Sequence, residues 1–182
     1  MKVTKTKIND LLIIEPRVFG DDRGWFSETY NINSFKANHL EIEFVQDNHS
    51  LSVQEGVLRG LHFQSNPFPQ TKLVRCTRGK IWDVAVDLRK SSSTYLNWYG
   101  LELSAENHKM LLIPQGFAHG FLTLEDNAEV QYKVDNLYHK ESDRSIKYDD
   151  PQINVDWPLK NVILSEKDKN APLLKDSDVN FK

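Results

Sequence analysis

Only one cysteine, Cys76, occurs among the 182 residues, which excludes an internal disulfide and a Cys-x-x-Cys metal pair. Long apolar runs are also missing. The apolar run near the N-terminus covers only Leu11–Ile14, too short for the core of a secretory signal or for a membrane span, so a cytoplasmic, reducing setting is expected. Neither sign of charge dominates: 23 Lys and Arg stand against 26 Asp and Glu, a net charge of −3. With no basic block, neither a nucleic-acid duplex nor an anionic membrane is implied as partner. No repeat, low-complexity tract or Gly/Ser linker divides the chain, and one domain is expected over residues 1–182. What remains is ordinary for a folded protein, 39% apolar and 27% charged, with enough length for a core.

Helical patterning is scarce. Only Ser34–His39 and Ser165–Asn170 suggest helix, with Ser34 and Ser165 as N-cap candidates. Short β-rich runs recur instead: Leu11–Glu15, Gly24–Tyr30, Phe44–Ser50, Val57–Gln64, Lys72–Thr77, Lys80–Leu88, Trp98–Ser104, Met110–Ile113, Ala118–Leu124 and Val130–Asp135. Period-two alternation is clearest in Ile81–Leu88. Trp82, Val84, Val86 and Leu88 share one face there, while Asp83 and Asp87 share the other with Ile81 and Ala85. Many short strands with little helix predict an all-β sandwich or barrel, and the jelly-roll barrel with short flanking helices is the favoured form. From Asp149 the chain turns acidic and loop-rich, broken by Pro151, Pro158 and Pro172. It reads as a lid or flank, with Trp157 as its anchor.

Of six histidines, His39, His108 and His139 lie in polar surroundings near predicted segment ends, where solvent exposure is expected, and His49 is ambiguous. His62 sits in Val57-Leu58-Arg59-Gly60-Leu61-His62-Phe63-Gln64, a context that, taken alone, favours a hydrogen-bonded core histidine. In a regular strand Arg59 and His62 face opposite sides because their separation is odd. Gly60 offers a place for a bulge that turns both inward. His119 follows a turn in Pro114-Gln115-Gly116-Phe117-Ala118-His119-Gly120-Phe121, which resembles the second metal-binding motif of cupin barrels. The first cupin motif supplies His-x-His and a later Glu. Here Gln64 stands two positions after His62, and no suitable acid follows before Gly79. Two ligands fall short of the three that a Zn²⁺ or Fe²⁺ site usually needs, so a metal-free cupin without cofactor is expected.

Asp22-Arg23-Gly24-x-Phe26-x-Glu28, Gln46-x-Asn48-x-Ser50, Leu58-Arg59-Gly60-Leu61-His62 and Lys72-Leu73-Val74-Arg75 occur in that order. Asp83-Val84-Ala85-Val86-Asp87-Leu88-Arg89, Pro114-x-Gly116-Phe117-Ala118-His119-Gly120-Phe121, Tyr132-Lys133 and Ser165-x-Lys167-Asp168 continue it. From about Asp22 to Pro172 the chain resembles the dTDP-4-dehydrorhamnose 3,5-epimerases, metal-free cupins of the L-rhamnose pathway. The resemblance implies a dTDP-linked 4-keto-6-deoxy sugar as substrate and inversion at C3 and C5. That chemistry needs a base on one face of the sugar, stabilisation of the enolate oxygen, and an acid on the opposite face. The resemblance implies His62 as the base, Asp168 as the carboxylate that orients its ring, Lys72 as the donor to the developing O4 enolate, and Tyr132 as the acid. Arg23 and Arg59 are implied at the diphosphate, Phe26 and Tyr138 against thymine, and Glu28 on its ring N–H. Gln46, Asp47 and Asn48 are implied at the nucleotide and His119 near the sugar, with Asp143 and Lys167 in the same pocket. In this family the arm bearing the first motif reaches into a neighbouring subunit, which implies a homodimer with shared sites.

Some positions depart from the family pattern. Asp143-Arg144 stands where Glu-Gly is common, Lys147-Tyr148 replaces an apolar-aromatic pair, and Thr71 precedes Lys72 in place of Gly. These border the pocket and leave the sugar open. An epimerase acting at one carbon, a non-catalytic sugar-binding cupin and a metal-dependent cupin remain as rival readings. The missing His-x-His weighs against the last.

Overall fold

The computed structural model describes residues Met1–Lys182. Its strands are β1 (Lys2–Lys5), β2 (Leu12–Glu15), β3 (Val18–Asp21), β4 (Gly24–Ser27), β5 (Gln46–Ser52), β6 (Leu58–Gln64) and β7 (Lys72–Arg78). They continue with β8 (Lys80–Asp87), β9 (Trp98–Ser104), β10 (Met110–Ile113), β11 (Phe117–Thr123), β12 (Ala128–Val134) and β13 (Asp143–Ser145). A six-stranded sheet runs β1-β2-β10-β7-β12-β5 and faces a five-stranded sheet, β13-β6-β11-β8-β9. This is the expected jelly-roll barrel. Strands β3 and β4 stand apart as a hairpin.

Side-chain alternation divides three apolar clusters between the inside and outside of the barrel. Between the sheets lie Val74 and Cys76 from β7, Ile81 and Ala85 from β8, Phe117 and Phe121 from β11, and Val130 from β12. The intervening residues of β8 and β11, Val84, Val86 and Ala118, point outward and meet Ile146, Ile153, Val155 and Phe181 of the C-terminal segment. Trp157 packs on that cluster and donates from Nε1 to Tyr148 O at 3.0 Å. The tail is thus a flank that covers the outer face of one sheet. On the other sheet, Leu73, Met110 and Leu112 are covered by Phe35 from α1 (Ile32–Lys36), with Tyr30 and Phe44 beside it.

Several boundaries differ from expectation. Helix α1 begins before Ser34, because the Asn31 side chain accepts from the backbone N–H of Asn33 and Ser34 and caps the helix one turn earlier. The strand expected over Gly24–Tyr30 stops at Ser27. Strands β1, β3 and β13 carry mixed or polar patterns, and only their cross-strand partners make them strands. Helix α2 (Glu166–Lys169) does start on Ser165, whose hydroxyl accepts from Asp168 N.

The feature that most affects the lumen lies in β6. His62 pairs with His119, and Arg59 with Phe121, so Gly60 and Leu61 together oppose Gly120 alone. This is a bulge at the glycine. Gly60 has φ +125°, and a Cβ there would lie 2.6 Å from Gly120 Cα. No side chain fits at that approach. The extra residue returns His62 to the side that Arg59 already occupies, and both face inward with His119 and Phe121.

Candidate active site

His62 projects from β6 into the lumen, its side chain 31% exposed, and meets Asp168, which is 4% exposed. Nε2 of the ring lies 2.5 Å from Asp168 Oδ1. The second carboxylate oxygen accepts from Ser165 Oγ at 2.7 Å. Burial pushes the Asp168 carboxyl up, but hydrogen bonds from His62, Ser165 and the Gly60 N–H, with the nearby imidazole charge, outweigh it and hold the group below the ordinary carboxylate range. An ionised carboxylate only accepts, so the proton of this pair sits on Nε2. That leaves Nδ1 as a lone-pair nitrogen without a protein partner. Ser165 therefore caps α2 and also orients the acid that α2 presents.

Lys72 opens β7 and points inward, in step with Val74 and Cys76. It is 9% exposed and forms no ion pair. Burial lowers its pKa to about 8, against upward pulls from Asp143 and Asp83. Its ammonium lies 5.9 Å from the ring centroid of Tyr132 on β12. Burial raises the Tyr132 phenol, Asp143 adds to that, and Arg59 opposes it. A phenol kept protonated beside a lysine of low pKa has the makings of an acid next to an electrostatic donor.

His119 faces His62 across the β6–β11 ladder. Its Nε2 lies 2.8 Å from Oδ1 of Asp83, with side-chain exposures of 8% and 0%. Burial lowers the His119 pKa despite Asp83, and the charges of Lys72 and His62 lower it further. The other oxygen of Asp83 is buried with no partner. Asp83 was not among the expected site residues. Its inward place in the alternation of β8 was the available signal, because an acid on a lumen-facing position needs a partner there. Nowhere in the chain do three or more His, Cys, Asp or Glu side chains gather in a geometry that could hold a metal ion.

The rim carries the remaining residues. Arg59 is anchored by Ser52 Oγ at 3.2 Å and Leu51 O at 3.3 Å. Gln46 and Asn48 lie on one face of β5 and are joined through Gln46 Nε2 to Asn48 Oδ1 at 2.9 Å. Asp47 does not join them. Strand alternation turns it to the outer face, where Lys133 Nζ donates to it at 2.7 Å. Tyr138 is 59% exposed, and its hydroxyl lies 3.4 Å from Asp143 Oδ2. Lys167 donates to the same oxygen at 2.6 Å. His139, expected to be solvated, stacks on Phe68 with centroids 4.0 Å apart.

Arg23, Phe26 and Glu28 are not brought to this lumen within the chain. They ride on the β3–β4 hairpin and its exit, where Phe26 is 68% exposed and Arg23 contacts only Asp21, at 2.6 Å. The hairpin pairs with no other strand.

Comparison with known proteins accords with this architecture. The sequence profile of the dTDP-4-dehydrorhamnose 3,5-epimerases matches residues 5–176. The dTDP-4-dehydrorhamnose 3,5-epimerase of Shigella flexneri is 54% identical over 179 residues, covering 98% of each chain. A crystal structure of the Bacillus anthracis enzyme with TDP and PPi bound is 48% identical, with a TM-score of 0.93 over 95% of this chain and 99% of that one. The Legionella pneumophila 3,5-epimerase in complex with dTDP-4-keto-L-rhamnose is 47% identical, with a TM-score of 0.93 over 97% of this chain and 94% of the other. By sequence and by fold, the chain belongs to the dTDP-4-dehydrorhamnose 3,5-epimerase family.

Proposed function

We propose that this protein epimerises C3 and C5 of dTDP-4-dehydro-6-deoxy-D-glucose, giving dTDP-4-dehydro-L-rhamnose, with residues 1–182 acting as one catalytic unit. The observation that carries the reading is the 2.5 Å contact between His62 Nε2 and Asp168 Oδ1 on an imidazole that still reaches the lumen. Nδ1 removes the proton from the carbon beside the C4 ketone. The imidazolium that forms is stabilised by Asp168. Charge then builds on O4, where Lys72 meets it in a dry setting that strengthens the interaction. Tyr132 returns a proton from the opposite face, which inverts the carbon. His119, its proton held on Nε2 by Asp83, offers Nδ1 as an acceptor to a sugar hydroxyl.

Arg59 holds the diphosphate, Tyr138 stacks on thymine, Gln46 and Asn48 meet the nucleoside, and Asp143 with Lys167 closes the rim. Arg23, Phe26 and Glu28 complete the site from a second copy of the chain, as a homodimer with exchanged hairpins. Their exposure, on or just after a hairpin that pairs with no other strand of the chain, supports this arrangement. No helix is long and apolar enough to cross a membrane. A cytoplasmic location, where nucleotide sugars are made, belongs to the same proposal.

The test is turnover of dTDP-4-keto-6-deoxyglucose in D₂O, with deuterium followed at each carbon. Incorporation at both C3 and C5 is expected. Exchange at one carbon alone identifies a single-site epimerase, and binding without any exchange identifies a sugar-binding protein.

A further inference from the structure

Gln64 occupies the place where a metal-binding cupin carries the second histidine of its first motif, and its side chain is spoken for in another way. It is 4% exposed. Its amide nitrogen donates to Phe68 O at 2.7 Å and to Leu137 O at 3.3 Å, and its amide oxygen accepts from His139 N at 2.7 Å. One buried amide thus ties the 65–70 loop to the backbone on both sides of Tyr138. Tyr138 N itself donates to Gln46 Oε1 at 3.2 Å. Two further bonds close the same pair of loops: Asn136 Nδ2 to Pro69 O at 2.6 Å and Gln70 Nε2 to Asn136 O at 2.8 Å. The Tyr138 side chain is held only by the 3.4 Å contact of its hydroxyl with Asp143 Oδ2, and it stands 59% exposed at the rim.

An exposed aromatic on a clamped backbone is an ordered platform, and the order is in place before any ligand arrives. We infer that Gln64 is a positioning residue for nucleotide binding, acting by holding the backbone of Tyr138 so that its ring is set for a planar base. The inference rests on the reading of Tyr138 as the thymine-stacking residue. Both amide protons of Gln64 are already donated to carbonyls of the chain, so it has no donor left for a ligand.

The test is calorimetric titration of dTDP and, separately, of inorganic pyrophosphate into the wild type and three variants: Gln64→Met, Tyr138→Ala and the two combined. Methionine keeps the volume and removes every bond. Gln64→Met is expected to weaken dTDP about tenfold, the upper range for one aromatic contact, while pyrophosphate affinity stays within about twofold. Its KM for the nucleotide sugar should rise in step with kcat unchanged, and the double variant should bind dTDP no more weakly than Tyr138→Ala alone. Equal loss for dTDP and pyrophosphate, or additive losses in the double variant, would overturn the inference while leaving the stacking role intact. Unchanged dTDP affinity in Tyr138→Ala overturns the stacking role and the inference with it. Gln64→Glu keeps the acceptor for His139 N–H and loses both donors, so a loss of a few-fold is expected there. Wild-type dTDP affinity in that variant counts against the strut even if Gln64→Met does not fold.

Discussion

Two histidine–aspartate pairs face each other across β6 and β11, with the same ring nitrogen on the same carboxylate oxygen, yet their surroundings differ. His62 keeps 31% of its side chain exposed, and its acid is supported by Ser165. His119 is 8% exposed, and its acid is wholly buried with one oxygen unpartnered. A base that must take up and release protons needs a route to solvent or substrate and a carboxylate that stays ionised. The first pair has both. The second is suited to holding one tautomer and one position, since burial opposes charge on His119. Chemistry alone does not distinguish the pairs; solvent access does.

The largest effect should separate the two rings. His62→Ala is expected to lower kcat about 10³–10⁴-fold, at the upper end for a lost general base, with dTDP affinity nearly intact. His119→Ala should cost about tenfold, mostly in KM, because one sugar hydrogen bond is lost. Equal losses in kcat would break the comparison. Next come the acids. Asp168→Asn should lower kcat about 10²–10⁴-fold by reversing the tautomer preference of His62, as the same change does in serine protease triads. Asp83→Asn should instead act through His119 on KM, and steady-state kinetics of both variants reads the split.

A third prediction concerns the buried lysine at the start of β7. Lys72 is charged below a pKa of about 8 and neutral above it, so kcat should fall as pH rises through that value. Lys72→Arg should move the alkaline limb upward, because guanidinium stays protonated. The sign for stability is opposite. Between about 8 and the ordinary lysine value of 10.5 the unfolded chain binds more protons than the native one, so this group makes stability rise with pH across that window. The smallest effect belongs to Ser165→Ala. It removes the cap of α2 and one bond to Asp168, for a loss of about 1 kcal/mol in urea unfolding and a few-fold loss in kcat. Unaltered kcat would mean that Asp168 is oriented without its hydroxyl partner.

Much of this was legible beforehand. The period-two run over Ile81–Leu88 put Asp83 and Asp87 on the face of Ile81 and Ala85, and only the packing made that face the inner one; nor did it pair Asp83 with His119, because that contact spans 36 residues. Gly60 marked a possible bulge, and only the register against β11 made it one. Asp47 was grouped with Gln46 and Asn48 by motif, although alternation along β5 turns it to the other face. Gln64 was noted for lacking a ligand's imidazole, while its three backbone contacts come from loops that only the folded chain brings together.

By itself the sequence determined the all-β class, most of the strands, the Ser165 cap of α2 and the residue types available for proton transfer. These follow from alternation, turn residues and side-chain chemistry, which act over a few neighbouring positions. Tertiary structure alone decided that Arg59 and His62 share the lumen, that His62 and His119 differ in exposure, and that the β3–β4 hairpin stands clear of its own site. Each depends on register and burial between segments far apart in the chain, where local pattern carries no information.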